Sequence, residues 1–293
     1  PPVRLPAFKP FLVRQRQAKR LAMAESDALR RLDAVRCVLH HGTEQHVERA
    51  ETPAYAGAQP EVSVVVSLYN YAGVVAEALA SVVASEGVQL EVIVVDDHAT
   101  DHSREVVREF LATHPDVPML LLGKDANEGL AAARNTAFER ARAELVMVLD
   151  ADNALYPTCL RKLADGLAAD PEAAGAYGIL EDVGDQRHLR SALAWDVGRL
   201  CVANYIDAQA MLRRPTWERF GGYRGDDPDV FGWEDWDLWL RIAEAGEHLT
   251  LVPEILGRYR VQAGSMIALT NLGHEDAIAS IRRRYPTLPW PVG

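Results

Sequence analysis

Between residues 62 and 152 the sequence alternates short apolar, β-branched runs with amphipathic stretches of helical length, and few folds accept that alternation. VSVVVSLY (62–69), LEVIVVDD (90–97), PMLLLG (118–123) and ELVMVLDAD (144–152) are continuous apolar runs, the pattern of strands buried on both faces. VVAEALASVVAS (74–85), DHSREVVREFLATH (101–114) and GLAAARNTAFERARA (129–143) read as the intervening helices, with Asp101 or Ser103 as a cap for the second. Strand, helix and strand in succession close into a parallel sheet through right-handed crossovers. The expected class is α/β, with a mostly parallel central sheet.

Past residue 153 the rhythm loosens. LRKLADGLAADP reads as a helix, GAYGIL and IDAQAMLRR as strands, the end of PDVFGWEDWDLWLRIAEAG as a helix, and LTLVPEILGRYRVQ as a closing strand. This half completes the same domain and supplies loops for a second substrate. Residues 1–60 differ: Leu21, Leu29, Leu32, Val35 and Leu39 fall near helical spacing, and ETPAYAGAQPE reads as a linker. The expectation is a helical N-terminal arm and linker over 1–60, one domain over 61–270 and a tail over 271–293. Arg14, Arg16, Lys19 and Arg20 form a solvated face of the arm or a contact for another domain, a subunit or a membrane surface.

The net charge of −11 disfavours nucleic acid or an anionic membrane as the main partner, so an anionic ligand must be met by local cations or a metal. The three cysteines, Cys37, Cys159 and Cys201, are far apart and lack metal-site spacing, which suits buried thiols in a reducing cytoplasm. No apolar run reaches the roughly 18 residues a transmembrane helix needs, and no signal peptide is visible. The opening PPVRLP, without Met, reads as a processed form or a piece of a longer protein.

Chemistry gathers at the strand ends, where parallel α/β sheets bind ligands. The first strand ends at Tyr69 and Asn70, the second at Asp96 and Asp97, the fourth at Asp150 and Asp152. Asp150 and Asp152 stand at i and i+2, so an extended backbone points both to one side. Their oxygens suit a hard cation such as Mg2+ or Mn2+, with a diphosphate filling other positions; the plainer alternative is a helix cap beside a solvated acid. GxGxxG and GxxxxGK loops are absent, which argues against a dinucleotide enzyme or a P-loop ATPase. A diphosphate would then need a metal and an arginine, for which Arg134 in NEGLAAARN is the candidate. In GWEDWDLWLR, Trp233, Trp236 and Leu240 follow helical spacing, and Glu234 and Asp235 sit at the expected helix start. Asp237 and Arg241 read as a surface i,i+4 pair.

Taken in order, VSVVVSLYNYAGVVAEALASVVAS, EVIVVDDHATD, NEGLAAARNTAFERARAELVMVLDAD, GWEDWDLWLRIAEAG and GRYRVQAGSM resemble the family 2 glycosyltransferases over residues 62–266, about 70% of the chain. The resemblance implies a Rossmann-like GT-A fold. Residues 61–153 would be its nucleotide-binding half and 154–270 its acceptor-binding half. It implies inverting transfer from a nucleotide sugar, with uridine diphosphate as carrier, to a saccharide, lipid-linked or protein acceptor, in the cytoplasm or at a membrane periphery. By the same resemblance, Tyr69, Asn70 and Asp97, with Asp96 beside it, would hold uracil and ribose, and Arg134 would contact the nucleotide. Asp150 would touch ribose or a divalent metal, Asp152 would ligate the metal, Asp235 would be the general base, and Glu234 would position the acceptor. Trp233 or Trp195 would stack on the acceptor sugar, unless each packs in the core.

Three positions depart from the family pattern: DDHATD stands for DDGSTD, bringing His98 and Ala99; Asn153 stands where an acid is frequent; Gln262 stands where many relatives carry a histidine metal ligand. Two other readings stay open. A nucleotidyltransferase would need a glycine- and arginine-rich loop after the first strand, which SLYNYAG does not supply. A non-catalytic module of a larger glycan-assembly protein would have no use for the acids of Glu234 and Asp235.

Overall fold

The computed structural model describes residues 48–184, 188–225, 232–261 and 274–291. The arm expected over 1–47, including Cys37, and the position of Gln262 lie outside the described residues. The strands β1 (Glu48–Glu51), β2 (Val62–Leu68), β3 (Leu90–Asp96), β4 (Met119–Gly123), β5 (Leu145–Asp150), β6 (Ala154–Leu155), β7 (Gly175–Val183), β8 (Leu189–Arg190), β9 (Ala210–Arg213) and β10 (Leu249–Arg260) share one sheet. Its order is β1-β4-β3-β2-β5-β9-β7-β10-β6, with β8 on β7. The β4-β3-β2-β5 centre is parallel, as is the β7–β10 pair, whereas β9 runs antiparallel to both β5 and β7.

The apolar runs form strands because both faces are covered. Val64 and Val66 face one core with the helices α1 (Val75–Val83), α2 (Ser103–Thr113) and α4 (Cys159–Ala169). Val65, between them in sequence, faces the other core with α3 (Leu130–Arg140), α7 (Glu234–Glu244) and α8 (His274–Arg284). Two short helices, α5 (Val197–Leu200) and α6 (Arg214–Arg219), flank β9. The chain runs outward from β2 through β3 to β4, then returns to place β5 on the other side of β2. That reversal opens a crevice at the carboxyl ends of β2, β3 and β5.

Two stretches differ from the sequence expectation. Residues 48–51, read as the end of an arm and its linker, form an edge strand, with Glu48 opposite Gly123 and Glu51 opposite Leu120. The segment ERAE carries no apolar alternation because an edge strand is held by backbone pairing and tolerates charge. Arg104 and Arg108 grip Glu48, and Thr52 Oγ1 donates to the Val117 carbonyl at 2.6 Å. Asp237 and Arg241, expected on the surface, are buried at 0% and 6% exposure. Arg241 donates to Asp237 Oδ2 at 2.9 Å, to the Gly222 carbonyl at 2.7 Å and to the Phe220 carbonyl. Tyr285 Oη donates to Asp237 Oδ1 at 2.6 Å. Sequence spacing revealed the pair; it could not show that the segment read as a tail joins the same core, with Ile281 of α8 and with Tyr285 and Leu288 just beyond it.

Asp237 therefore ties the last helix to α7. Asp237→Ala leaves the Arg241 guanidinium buried without its carboxylate, and we expect a loss of about 3–5 kcal/mol of stability, measured by urea unfolding.

Candidate active site

The loops that leave β2 and β3 are bent by two non-glycine residues in the left-handed region, Asn70 at φ 61° and His98 at φ 62°. Each occupies a conformation few side chains adopt, and in each case an aspartate or asparagine side chain compensates. Asn70 Oδ1 accepts from the Thr100 amide at 2.8 Å and the Asp101 amide at 3.2 Å, lashing the two loops together. Asp96 is fully buried; it accepts from the Ala99 amide at 2.9 Å and from Arg104 Nε. Asp97 accepts from the Glu128 amide at 3.0 Å and the Gly129 amide at 2.7 Å, with Lys124 Nζ 3.6 Å away. Gly129, at φ 90°, lets those amides converge at the start of α3. Burial pushes the Asp97 carboxyl up, and these amides and Lys124 oppose it. Of the four residues expected at the base and ribose, Tyr69 (44% exposed) and Asn70 are both exposed, and the buried Asp96 and Asp97 order the loops beneath.

Arg134 lies at the centre. Its side chain is buried at 2% exposure, donates to Glu234 Oε1 at 2.8 Å and to Asp150 Oδ1 at 2.9 Å, and stands 5.4 Å from the Tyr223 ring centroid. The cation that faces Asp150 is thus this guanidinium, which brings the end of β5 together with the start of α7. Its Nε is buried with no hydrogen-bond partner among the described residues.

Asp152 is not bonded by a guanidinium in this way, although the charge of Arg260 acts on it. Among the described residues no lysine or arginine pairs with its carboxylate; Arg260 Nε donates instead to its carbonyl at 3.1 Å. Burial, then the neighbouring Asp150, push Asp152 up to about 7, with Tyr71 hydrogen-bonded to it. The donor set suits a hard cation: oxygens only, with more negative charge than the protein neutralises. Among the described residues no group of three or more His, Cys, Asp or Glu side chains converges on one metal position.

Glu234 and Asp235 open α7 and are 5% and 9% exposed. Asp235 Oδ1 accepts from the Trp236 amide at 2.7 Å, and Oδ2 accepts from Asn204 Nδ2 at 3.0 Å. Burial, then Glu234, push Asp235 up to about 7; Asp207 adds to this, while Arg134 and Asn204 oppose it. Trp233 packs 5.5 Å from Trp236, and Trp195 is half-buried against the same core.

Sequence reasoning missed Asp207, Asn204, Tyr71 and Lys124. Asp207 is held up at about 6 by burial and by Asp150, and its Oδ1 accepts from the Gln209 amide at 3.0 Å. Because β9 is antiparallel to β5, the residues just before β9 lie at the carboxyl edge of β5, a direction that IDAQAML does not disclose. Lys124 follows β4 directly and was available from the same strand-end rule that selected Asp97.

Comparison with known proteins agrees with this architecture. The chain is 29% identical over 238 residues to the succinoglycan biosynthesis protein ExoO of Rhizobium meliloti, covering 75% of this chain and 66% of that protein. It is 25% identical over 211 residues to the probable glycosyltransferase YdaM of Bacillus subtilis, covering 66% and 49%. The chain thus spans between half and two thirds of these relatives. Its fold is similar to S. aureus TarS 1–349 in complex with UDP-GlcNAc, with TM-score 0.61, 16% identity and coverage of 71% and 60%. It is also similar to the mannosyltransferase PcManGT from Pyrobaculum calidifontis in complex with GDP-Man and Mn2+, with TM-score 0.60, 23% identity and coverage of 91% and 74%. Residues 63–226, more than half of the chain, match the family described as Glycosyl transferase family 2, and the chain belongs to that family.

Proposed function

We propose that the protein transfers a sugar from a nucleoside diphosphate donor, with uridine diphosphate as the carrier, to a hydroxyl of a saccharide, lipid-linked or protein acceptor, with inversion. The observation that carries this reading is Arg134, whose guanidinium bonds Asp150 on the donor side and Glu234 on the acceptor side. The donor's base and ribose would lie against Tyr69 and the loops that Asn70, Asp96 and Asp97 order. TarS 1–349 was solved in complex with UDP-GlcNAc, and PcManGT in complex with GDP-Man and Mn2+; the first supports the uridine carrier proposed here and the second the divalent cation.

Asp150 and Asp152 would hold a divalent cation, Mn2+ or Mg2+, which when bound supplies positive charge against the departing diphosphate. Arg134 adds a fixed positive charge nearby that needs no reorganisation during the reaction. On the acceptor side, Asp235 takes the proton of the attacking hydroxyl. The acceptor oxygen forms its bond to the anomeric carbon while the bond to the diphosphate breaks, and the diphosphate leaves with that electron pair. Attack from the face opposite the leaving group inverts the anomeric centre. Glu234 keeps Arg134 in place and so fixes the start of α7.

A base that protonates near pH 7 makes the acidic limb of the pH profile report Asp235. We expect kcat/KM to fall as pH drops below about 7, because the protonated carboxyl accepts no further proton. Asp235→Asn is expected to lower kcat by about 10²–10⁴-fold while calorimetric binding of uridine diphosphate is retained; near-normal turnover removes Asp235 from the mechanism. Binding of a uridine diphosphate sugar is expected to tighten with Mn2+, and equal affinity in EDTA removes the metal.

A further inference from the structure

Three tryptophans crowd the start of α7, and two of them do more than fill the core. Trp236 and Trp239 are both fully buried. Trp236 Nε1 donates to the Leu200 carbonyl at 2.8 Å, and Trp239 Nε1 donates to the Ile206 carbonyl at 3.1 Å. These bonds attach both ends of the 200–206 segment to the helix that carries Asp235. Within the segment, Tyr205 Oη accepts from the Asp196 amide at 2.7 Å and donates to the Ala194 carbonyl at 3.0 Å. Asn204 lies between the attached ends, and its Nδ2 reaches Asp235 Oδ2 at 3.0 Å.

Asn204 Oδ1 is buried with no hydrogen-bond partner among the described residues. A buried carbonyl oxygen left unpaired is unfavourable. Asn204 Nδ2 is, among the described residues, the side-chain donor to Asp235, whose other oxygen accepts from a backbone amide.

We propose that Asn204 is a positioning residue for the base: held in place by Trp236 and Trp239, it keeps the Asp235 carboxylate turned to receive the acceptor's proton. The proposal rests on Asp235 being the base. The groups that face Asp235 are Glu234 beside it, Asp207 ahead of β9, Arg134 from α3, and Tyr223. Glu234 and Asp207 favour the protonated carboxyl, and Arg134 opposes them. The Asn204 amide favours the charged form, so its removal shifts the balance toward protonation.

The test uses the full chain and two readouts: the pH profile of kcat/KM, and calorimetric binding of uridine diphosphate with Mn2+. Asn204→Ala is expected to lower kcat at neutral pH by on the order of 10²-fold, to move the acidic limb to higher pH, and to leave nucleotide affinity unchanged. Asn204→Asp, which keeps the shape, removes the donor and adds a like charge, so it should move the limb further; it serves if the alanine variant does not fold. Trp236→Phe, which keeps an aromatic ring and deletes the N–H, should move the limb in the same direction by less. A limb that stays put in both Asn204 variants, or a loss that is equal at every pH, overturns the positioning role. If Asp235→Asn itself retains turnover, the base assignment fails instead, and the two failures are told apart.

Discussion

One guanidinium sets the geometry of this protein. Arg134 reaches from α3 to a carboxylate at the end of β5 and to another at the start of α7, so that Asp150 and Glu234, far apart in sequence, share one cation. Burying an arginine costs far more than a single surface ion pair returns, and the arrangement holds only because both carboxylates bond to it. The aromatic face of Tyr223 adds a further favourable contact. The guanidinium also limits how far either element can shift: moving β5 or α7 strands a charge in the interior.

The rest of the site follows from an imbalance. Asp152, Asp207 and Asp235 crowd around the Asp150–Arg134–Glu234 bridge, and the charges of Arg134, Arg190 and Arg260 only partly oppose the burial of these acids. Burial therefore pushes Asp152 and Asp235 toward neutral pH and Asp207 nearly as far. Carboxyl groups held near the operating pH at a strand edge mark places where charge is meant to arrive or protons to move. Asp152, whose carboxylate no guanidinium bonds among the described residues, is where we propose that positive charge arrives. Asp235, held by Asn204 and the Trp236 amide, is where a proton would move.

Much of this was legible in the sequence, for definable reasons. The continuous β-branched runs fix buried parallel strands, because nothing else accommodates VSVVVSL and LEVIVVD back to back with amphipathic helices. The strand-end rule then selects Asp96, Asp97, Asp150 and Asp152 without any structure. Spacing does not say what those aspartates bond. The oxygens of Asp96 and Asp97 also accept from Arg104 and from the amides of Ala99, Glu128 and Gly129, contacts that the sequence does not disclose. Asp207 and Asn204 were invisible because they depend on β9 running antiparallel and on indole bonds between α7 and the 200–206 segment. The edge strand at 48–51 was missed because its backbone, rather than its side-chain pattern, makes it a strand.

The central claim is that Asp150 and Glu234 act through a shared cation. A double-mutant cycle of Asp150→Asn and Glu234→Gln, read by urea unfolding, tests it without any ligand. The account predicts a coupling well above the roughly 0.3–0.5 kcal/mol scatter of independent sites, because either change alone already weakens the hold on Arg134. Simple additivity of the two changes would mean that the bridge does not join the two halves, and would contradict the account.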